Sequence, residues 1–407
     1  MIHSPSPQPP IGQEGKRRMG PLSGKRVIEF AGLGPAPFAA MMLSDLGADV
    51  IRIERIPPRS DSGHEPTGVE GLSDGIMTRG RRTIALDLKN PDGLKIARAL
   101  IADADVVLEG FRPGAMERLG LGPDVCLEAN PRLIYGRVTG WGQEGPYAQS
   151  AGHDLNYIAL SGALAPLGRR AEPPVAPLNL LGDFAGGGLL VVTGILAALV
   201  NVATTGQGQI VDAAMVDGSA YLMTMMFELL GKGLWVEERE SNANDGGAHF
   251  YGVYETADHR YISIAAMEPQ FYSALLARLD LDGADLPEQW DAASWPIMRS
   301  RFEAIFRERT RDEWCLLLEG PDTCFAPVLT MSEAPHHPHN LHRQAFSQID
   351  GANIGVMTPS PAPRFTRTPL DMRQNVSELG RNSDEILIAA GFHATEIAGF
   401  REGHAVV

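Results

Sequence analysis

In SAGHDLNYIALSGAL, residues 150–164, His153 and Asp154 stand side by side at the front of an apolar helical pattern. Further along, in LNLLGDFAGGG, Asp183 follows one glycine and precedes three more, Gly186, Gly187 and Gly188. An imidazole titrates near neutrality, so His153 has the chemistry of a group that takes up and returns a proton. A carboxyl group at Asp183 is a second such candidate. Each has a plain alternative: Asp183 as the N-cap of the apolar helix after it, His153 as a satisfied core histidine. Asp154 is either structural or an orienting partner for His153. The glycines permit close approach of a ligand to the backbone, and amides at a helix start favour a developing anion.

Other clusters carry other chemistries. TRGRR brings Arg79, Arg81 and Arg82 ahead of one strand pattern, and Arg52 and Arg55 end another. Five arginine forks around adjacent strand edges suit either a phosphate-bearing ligand or a solvated charge cluster. AGLGPAP, residues 31–37, supplies Gly32 and Gly34 as the first two glycines of a dinucleotide loop, with Glu54 downstream. Pro37 replaces the third glycine, which favours a plain Rossmann-like turn over NAD binding. His336, His337, His339 and His342 are irregularly spaced between prolines, so a connector is expected there and no metal site.

The elements that must position these residues alternate through the first half. Strand patterns fall at 26–30, 49–55, 83–88, 105–111 and 132–140, with helical patterns at 37–47 and 91–104. That succession predicts βαβ units in a mostly parallel sheet, with ligands at its C-terminal edge. After about residue 230 the pattern changes to a hairpin over 250–267 and helices over 268–280, 296–309 and 311–320, a smaller α+β unit. A short helix is expected over 383–392.

Composition narrows the function classes. The 407 residues carry 50 acidic and 35 basic side chains, a formal charge of −15, which argues against a nucleic-acid or anionic-membrane binder. Three cysteines, Cys126, Cys315 and Cys324, fit neither a disulfide framework nor a zinc site, and a reducing cytoplasm is expected. The Pro- and Ser-rich first 20 residues read as a disordered tail. Residues 184–203 lack charge and imitate a membrane span, but a buried core helix is the expected reading.

Longer motifs carry a resemblance. EGFRPGAMERLGLGP, RLIYGRVTGWGQEGP, AGHDLNYIALSGAL, PLNLLGDFAGGG, GQGQIVDAAMVDGSAYL and DGGAHFYGVYETADHRYISIAAMEPQFY occur in this order. Together they resemble the 2-methylacyl-CoA racemases of the family III CoA-transferase superfamily, over roughly residues 20–370. The resemblance implies an α/β fold: a large Rossmann-like domain with a parallel sheet, a smaller α+β domain, and two chains interlocked in a homodimer that shares its active site. The expected division is a tail (1–20), the large CoA-binding domain (21–212), a linker helix (213–243), the small domain (244–332), a return linker (333–354) and a C-terminal segment rejoining the large domain (355–407).

It also implies a racemase that interconverts R and S acyl-CoA thioesters through an enolate. His153 and Asp183 resemble the two catalytic bases, and Glu268 resembles an acidic residue brought by the partner chain. Arg55, Leu86, Asp87, Leu88 and Lys89, together with Gly152, His153, Asp154, Leu155, Asn156 and Tyr157, resemble the thioester contacts. No metal or redox cofactor is implied; CoA arrives with the substrate. Main-chain amides at the Asp183 and His153 helix starts are the expected holders of the enolate oxygen. The alternative is a family III CoA-transferase with Asp183 as nucleophile; such transferases lack the histidine of GHD. Three departures stand out: an extra stretch at 60–75, NAND at 242–245, and His249 after DGGA. The last two fall where the acyl pocket is expected.

Overall fold

A computed structural model describes residues 20–57, 75–281, 285–348, 357–370 and 378–407. Nearly all of the expected tail and of the 60–75 stretch lies outside them.

The first half alternates as its periodicity requires: β1 (Arg26–Phe30), α1 (Pro35–Asp45), β2 (Asp49–Arg55), β3 (Arg82–Leu86), α2 (Pro91–Ala102), β4 (Val106–Glu109), α3 (Ala115–Arg118), α4 (Pro123–Ala129) and β5 (Ile134–Thr139). Then come α5 (Asp154–Leu160), a π-helix (Leu180–Leu189) running straight into α6 (Leu190–Thr205), β6 (Gln209–Ala214), α7 (Met215–Leu222) and α8 (Thr224–Gly231). All six strands are parallel, in the order β3-β2-β1-β4-β5-β6. The order reverses between β1 and β4, and a crevice opens there beyond the strand ends.

Successive strand residues face opposite sides of the sheet. Val27, Val50 and Val106 join one core with α1 and α6, while Ile28, Ile51 and Val107 join a second core with α2. Both faces are covered, which is why the strands are rich in Val and Ile, and why the charged residues among them need buried partners. Pro91 and the Asn90 cap, which accepts the Asp92 N–H, start α2 where the sequence predicts it. The 26 residues from Leu180 to Thr205 are long and apolar enough to cross a membrane. One face of this helix, at Val191, Val192, Ile195, Ala198 and Val202, packs against the sheet.

A three-stranded antiparallel sheet follows: β7 (Tyr251–Glu255), β8 (Tyr261–Ala265) and, after α9 (Pro269–Arg278), α10 (Trp295–Phe306) and α11 (Arg311–Leu318), β9 (Phe325–Pro327). Two late helices, Ser383–Ala389 and Ala394–Glu402, return to the second core of the parallel sheet through Ile386, Leu387, Ile397 and Phe400.

Most of the arginine cluster is structural. Arg81 is wholly buried and donates to Glu29 at 3.0 Å, Arg52 pairs Glu29 and Glu54, Arg79 pairs Asp45, and Arg82 pairs Asp49 and Glu385. A buried guanidinium needs a carboxylate partner, and these four have theirs. The phosphate reading therefore fails for them; Arg55 alone is exposed, with no ion pair among the described residues.

His249 is also a core residue, against the expectation that it reaches an acyl pocket. It is 1% exposed, among Phe250, Tyr272 and Phe302, with Nε2 2.7 Å from the Tyr272 hydroxyl. Asn242 of NAND is buried too, and its amide bonds Val236 O and Asp245. Burial pushes the His249 imidazole down to about 4. Between pH 6.5 and about 4 the unfolded chain therefore binds the extra proton, and folding stability falls as the pH falls through that window. The expected loss is up to about 3 kcal/mol. Urea unfolding of wild type and His249→Phe over this range checks it: the variant's stability should slope less steeply with pH.

Candidate functional site

The crevice at the strand-order reversal is a cleft of about 730 Å³. The loop after β1 (Gly32–Pro35), the loop after β4 (Gly110–Pro113) and the end of β5 (Val138–Trp141) form its base. Gly152, His153 and Tyr157 line it from α5, and Asn179 and Asp183 from the π-helix. Glu109, buried at the end of β4, accepts the Phe111 N–H at 2.7 Å and fixes the second loop.

His153 is the N-cap of α5 and stands exposed in the cleft; its own N–H donates to Asn156 Oδ1 at 3.0 Å. Asp183 is not the N-cap of its helix. That place belongs to Asn179, and Asp183 lies one turn in, half-buried. Asn179 Nδ2 donates to Asp183 Oδ2 at 3.1 Å, and the Asp183 N–H donates to Asp154 Oδ1 at 2.6 Å. A Cβ on Gly34 would lie 3.2 Å from Asp183 Oδ2, so the loop after β1 abuts the carboxyl group.

Burial pushes the Asp183 carboxyl above its ordinary range. The Asn179 bond and the His153 charge oppose that rise, and the Asp154 charge adds to it. Burial, helped by the Asp183 charge, lifts the Tyr157 phenol to about 12, so it stays protonated and donates to Gly152 O.

Two expectations about the helix starts need correction. The Asp183 and His153 amides are already bonded to Asp154 and Asn156, so neither is free for an enolate oxygen. First-turn amides lack intrahelical acceptors, which leaves those of Asp154 and Leu155 next to His153. Gly186, Gly187 and Gly188 do not open the backbone to a ligand either. They are buried, and added Cβ atoms would meet Ser219, Met215 and Phe38 at 2.7–2.9 Å. Their smallness lets the π-helix pack on α7 and α1.

The structure brings His153, Asp183, Gly152 and Tyr157 into one cleft and leaves other candidates outside its lining. Asp154 is buried beneath it, while Leu155 and Asn156 are exposed on α5. Arg55 and Leu86 are register partners at the C-terminal ends of β2 and β3, with Asp87, Leu88 and Lys89 following. Leu86 is 1% exposed and Leu88 packs on the second core, so neither offers a free side chain. Glu268 caps α9 in the antiparallel unit, exposed. Sequence reasoning missed Arg112, an exposed cation in the cleft wall with no ion pair among the described residues. It also missed Trp141, which packs edge-on against Tyr157 with ring centres 4.8 Å apart. The motif EGFRPG flagged the region of Arg112 without singling it out.

The model of CoA-transferase family III matches residues 22–383. The chain is 44% identical over 377 residues to the alpha-methylacyl-CoA racemase of Mus musculus, covering 92% of this chain and 95% of that protein. It is 43% identical over the same length to that of Homo sapiens, with the same coverage. A crystal structure of a CAIB/BAIF family protein from Brucella suis superposes with a TM-score of 0.77 at 26% identity, covering 92% of this chain and 100% of that one.

Proposed function

The chain belongs to CoA-transferase family III, and on that premise we propose that it is a racemase interconverting R and S 2-methylacyl-CoA thioesters. The observation that carries the reading is that His153 and Asp183 both line one cleft. The thioester carbonyl acidifies the neighbouring C–H by delocalising the carbanion into an enolate. In one direction neutral His153 removes the proton and protonated Asp183 returns one to the other face; the roles reverse for the return. Either way the pair carries one proton, so activity follows a bell-shaped pH profile. A carboxyl group raised by burial holds that proton closer to neutral pH than an ordinary aspartate. The Asp154 and Leu155 amides are the donors for the enolate oxygen.

CoA enters as part of the substrate, and the proposal needs no metal or redox group. In so acidic a chain its phosphates require local cations, and Arg112, Arg55 and Lys89 are those assigned to them. Arg112→Ala should raise KM about tenfold, as loss of a charge-assisted bond would, with kcat little changed. Initial rates across thioester concentrations check this.

The active assembly we propose is a cytoplasmic homodimer with Glu268 contributed by the partner, bound to neither membrane nor nucleic acid. Its support is the exposure of the large apolar side chains Leu160, Leu178, Tyr221, Phe227 and Leu234, and the free cysteines.

The test uses one enantiomer of a 2-methylacyl-CoA with no second acid present. Configuration should scramble while the thioester stays intact. A reaction that proceeds only with an acceptor acid, CoA migrating to it, would overturn the reading in favour of a transferase that uses Asp183 as nucleophile.

A further inference from the structure

We propose that Asp154 is a positioning residue for Asp183, a buried carboxylate that ties the two bases together. This rests on the two-base reading above. Asp154 is the first residue of α5, directly after His153, and is 6% exposed. It does not orient the His153 ring by any bond in the structure. Its Oδ1 instead accepts the Asp183 N–H at 2.6 Å, joining the start of α5 to the first turn of the π-helix. Its Oδ2 is buried and has no hydrogen-bond partner among the described residues. The neighbouring residue is shaped to this contact: a Cβ on Gly182 would fall 2.6 Å from Asp154 Oδ1.

Two consequences follow. The bond fixes where the Asp183 backbone sits relative to His153, because Asp154 is covalently the next residue. And an incompletely compensated carboxylate beside Asp183 favours its protonated form. The groups acting on Asp183 are Asp154 and His153 from α5 and Asn179 from its own helix. Tyr157 stays neutral, and the side chains of α1 and α7 packed on the π-helix at Gly186–Gly188, Pro35, Phe38, Met215 and Ser219, carry no charge.

Two substitutions separate the roles. Asp154→Asn keeps an acceptor oxygen but removes the charge; Asp154→Ala removes both. For Asp154→Asn we expect a kcat loss much smaller than that of Asp154→Ala, and an acid limb displaced to lower pH. For Asp154→Ala we expect kcat to fall about 10²-fold with KM changed much less, as for a reacting group displaced by about 1 Å. A ¹³C NMR titration of the Asp183 carboxyl, assigned through Asp183→Asn, reads the charge effect without any turnover. Its midpoint should fall in Asp154→Asn. An unmoved midpoint and limb, or equal kcat losses in the two variants, would overturn the inference. If wild type exchanges no α-proton, the racemase reading fails while the titration still decides whether Asp154 acts on Asp183.

Discussion

Replacing His153 by alanine should lower α-proton exchange by about 10²–10⁴-fold, the usual contribution of a positioned acid–base group. The loss should appear in kcat, because the cations assigned to the CoA phosphates are unchanged. The fold should survive it. His153 is exposed, and its capping bonds run through its main chain: its N–H to Asn156 Oδ1, its carbonyl from the Asn156 N–H at 2.8 Å. The Asp154–Asp183 bond is untouched. Deuterium uptake into the α-carbon, alongside a thermal melt, checks both halves. Full activity in the variant would remove the two-base scheme, and a lowered melting temperature would trace the loss to folding instead.

Arg81→Met should destabilise the fold by about 3–5 kcal/mol, the cost of breaking a buried ion pair on one side. The Arg81 guanidinium joins three parts of the fold: it bonds Glu29 on β1, the Met77 and Arg79 carbonyls before β3, and Pro37 O on α1. Without it Glu29, itself 0% exposed, keeps only Arg52, at 3.1 Å, as an ion-pair partner among the described residues. Pairing the change with Glu29→Leu should recover much of the loss, because the stranded carboxylate goes with it. Denaturant unfolding of the single and double variants measures the coupling. A single variant within about 0.5 kcal/mol of wild type, the range of an ordinary surface change, would contradict the network's importance.

Met77 and Thr78 line the cleft, so this network also anchors part of its wall. The cluster that looked like a phosphate site thus supports the site from behind. Sequence cannot separate the two, because an arginine that meets a phosphate and one that meets Glu29 have the same local pattern. Only the register that brings β1, β2 and the segment before β3 together decides which carboxylates are within reach.

The parallel sheet was legible because its central strands are buried on both faces and rich in Val and Ile. β6 was not: its outer residues Gln209, Ile210 and Asp212 are exposed or half-exposed, so the segment lacks that signal. His153 and Asp183 were legible as residue types at helix starts, and the resemblance paired them. The bond from the Asp183 N–H to Asp154 was hidden, since it depends on how two helices meet. So was the use of Gly186–Gly188. A glycine run that admits a ligand and one that admits a neighbouring helix look alike until α7 and α1 are in place.

The most direct test of two bases flanking one carbon follows the first turnovers of (S)-2-methylacyl-CoA in deuterated water. The account predicts that every molecule of inverted product carries deuterium at the α-carbon, because the proton delivered to the second face comes from a group equilibrated with solvent. Inverted product that keeps its original protium would mean a single group carrying the proton across, and would contradict the account.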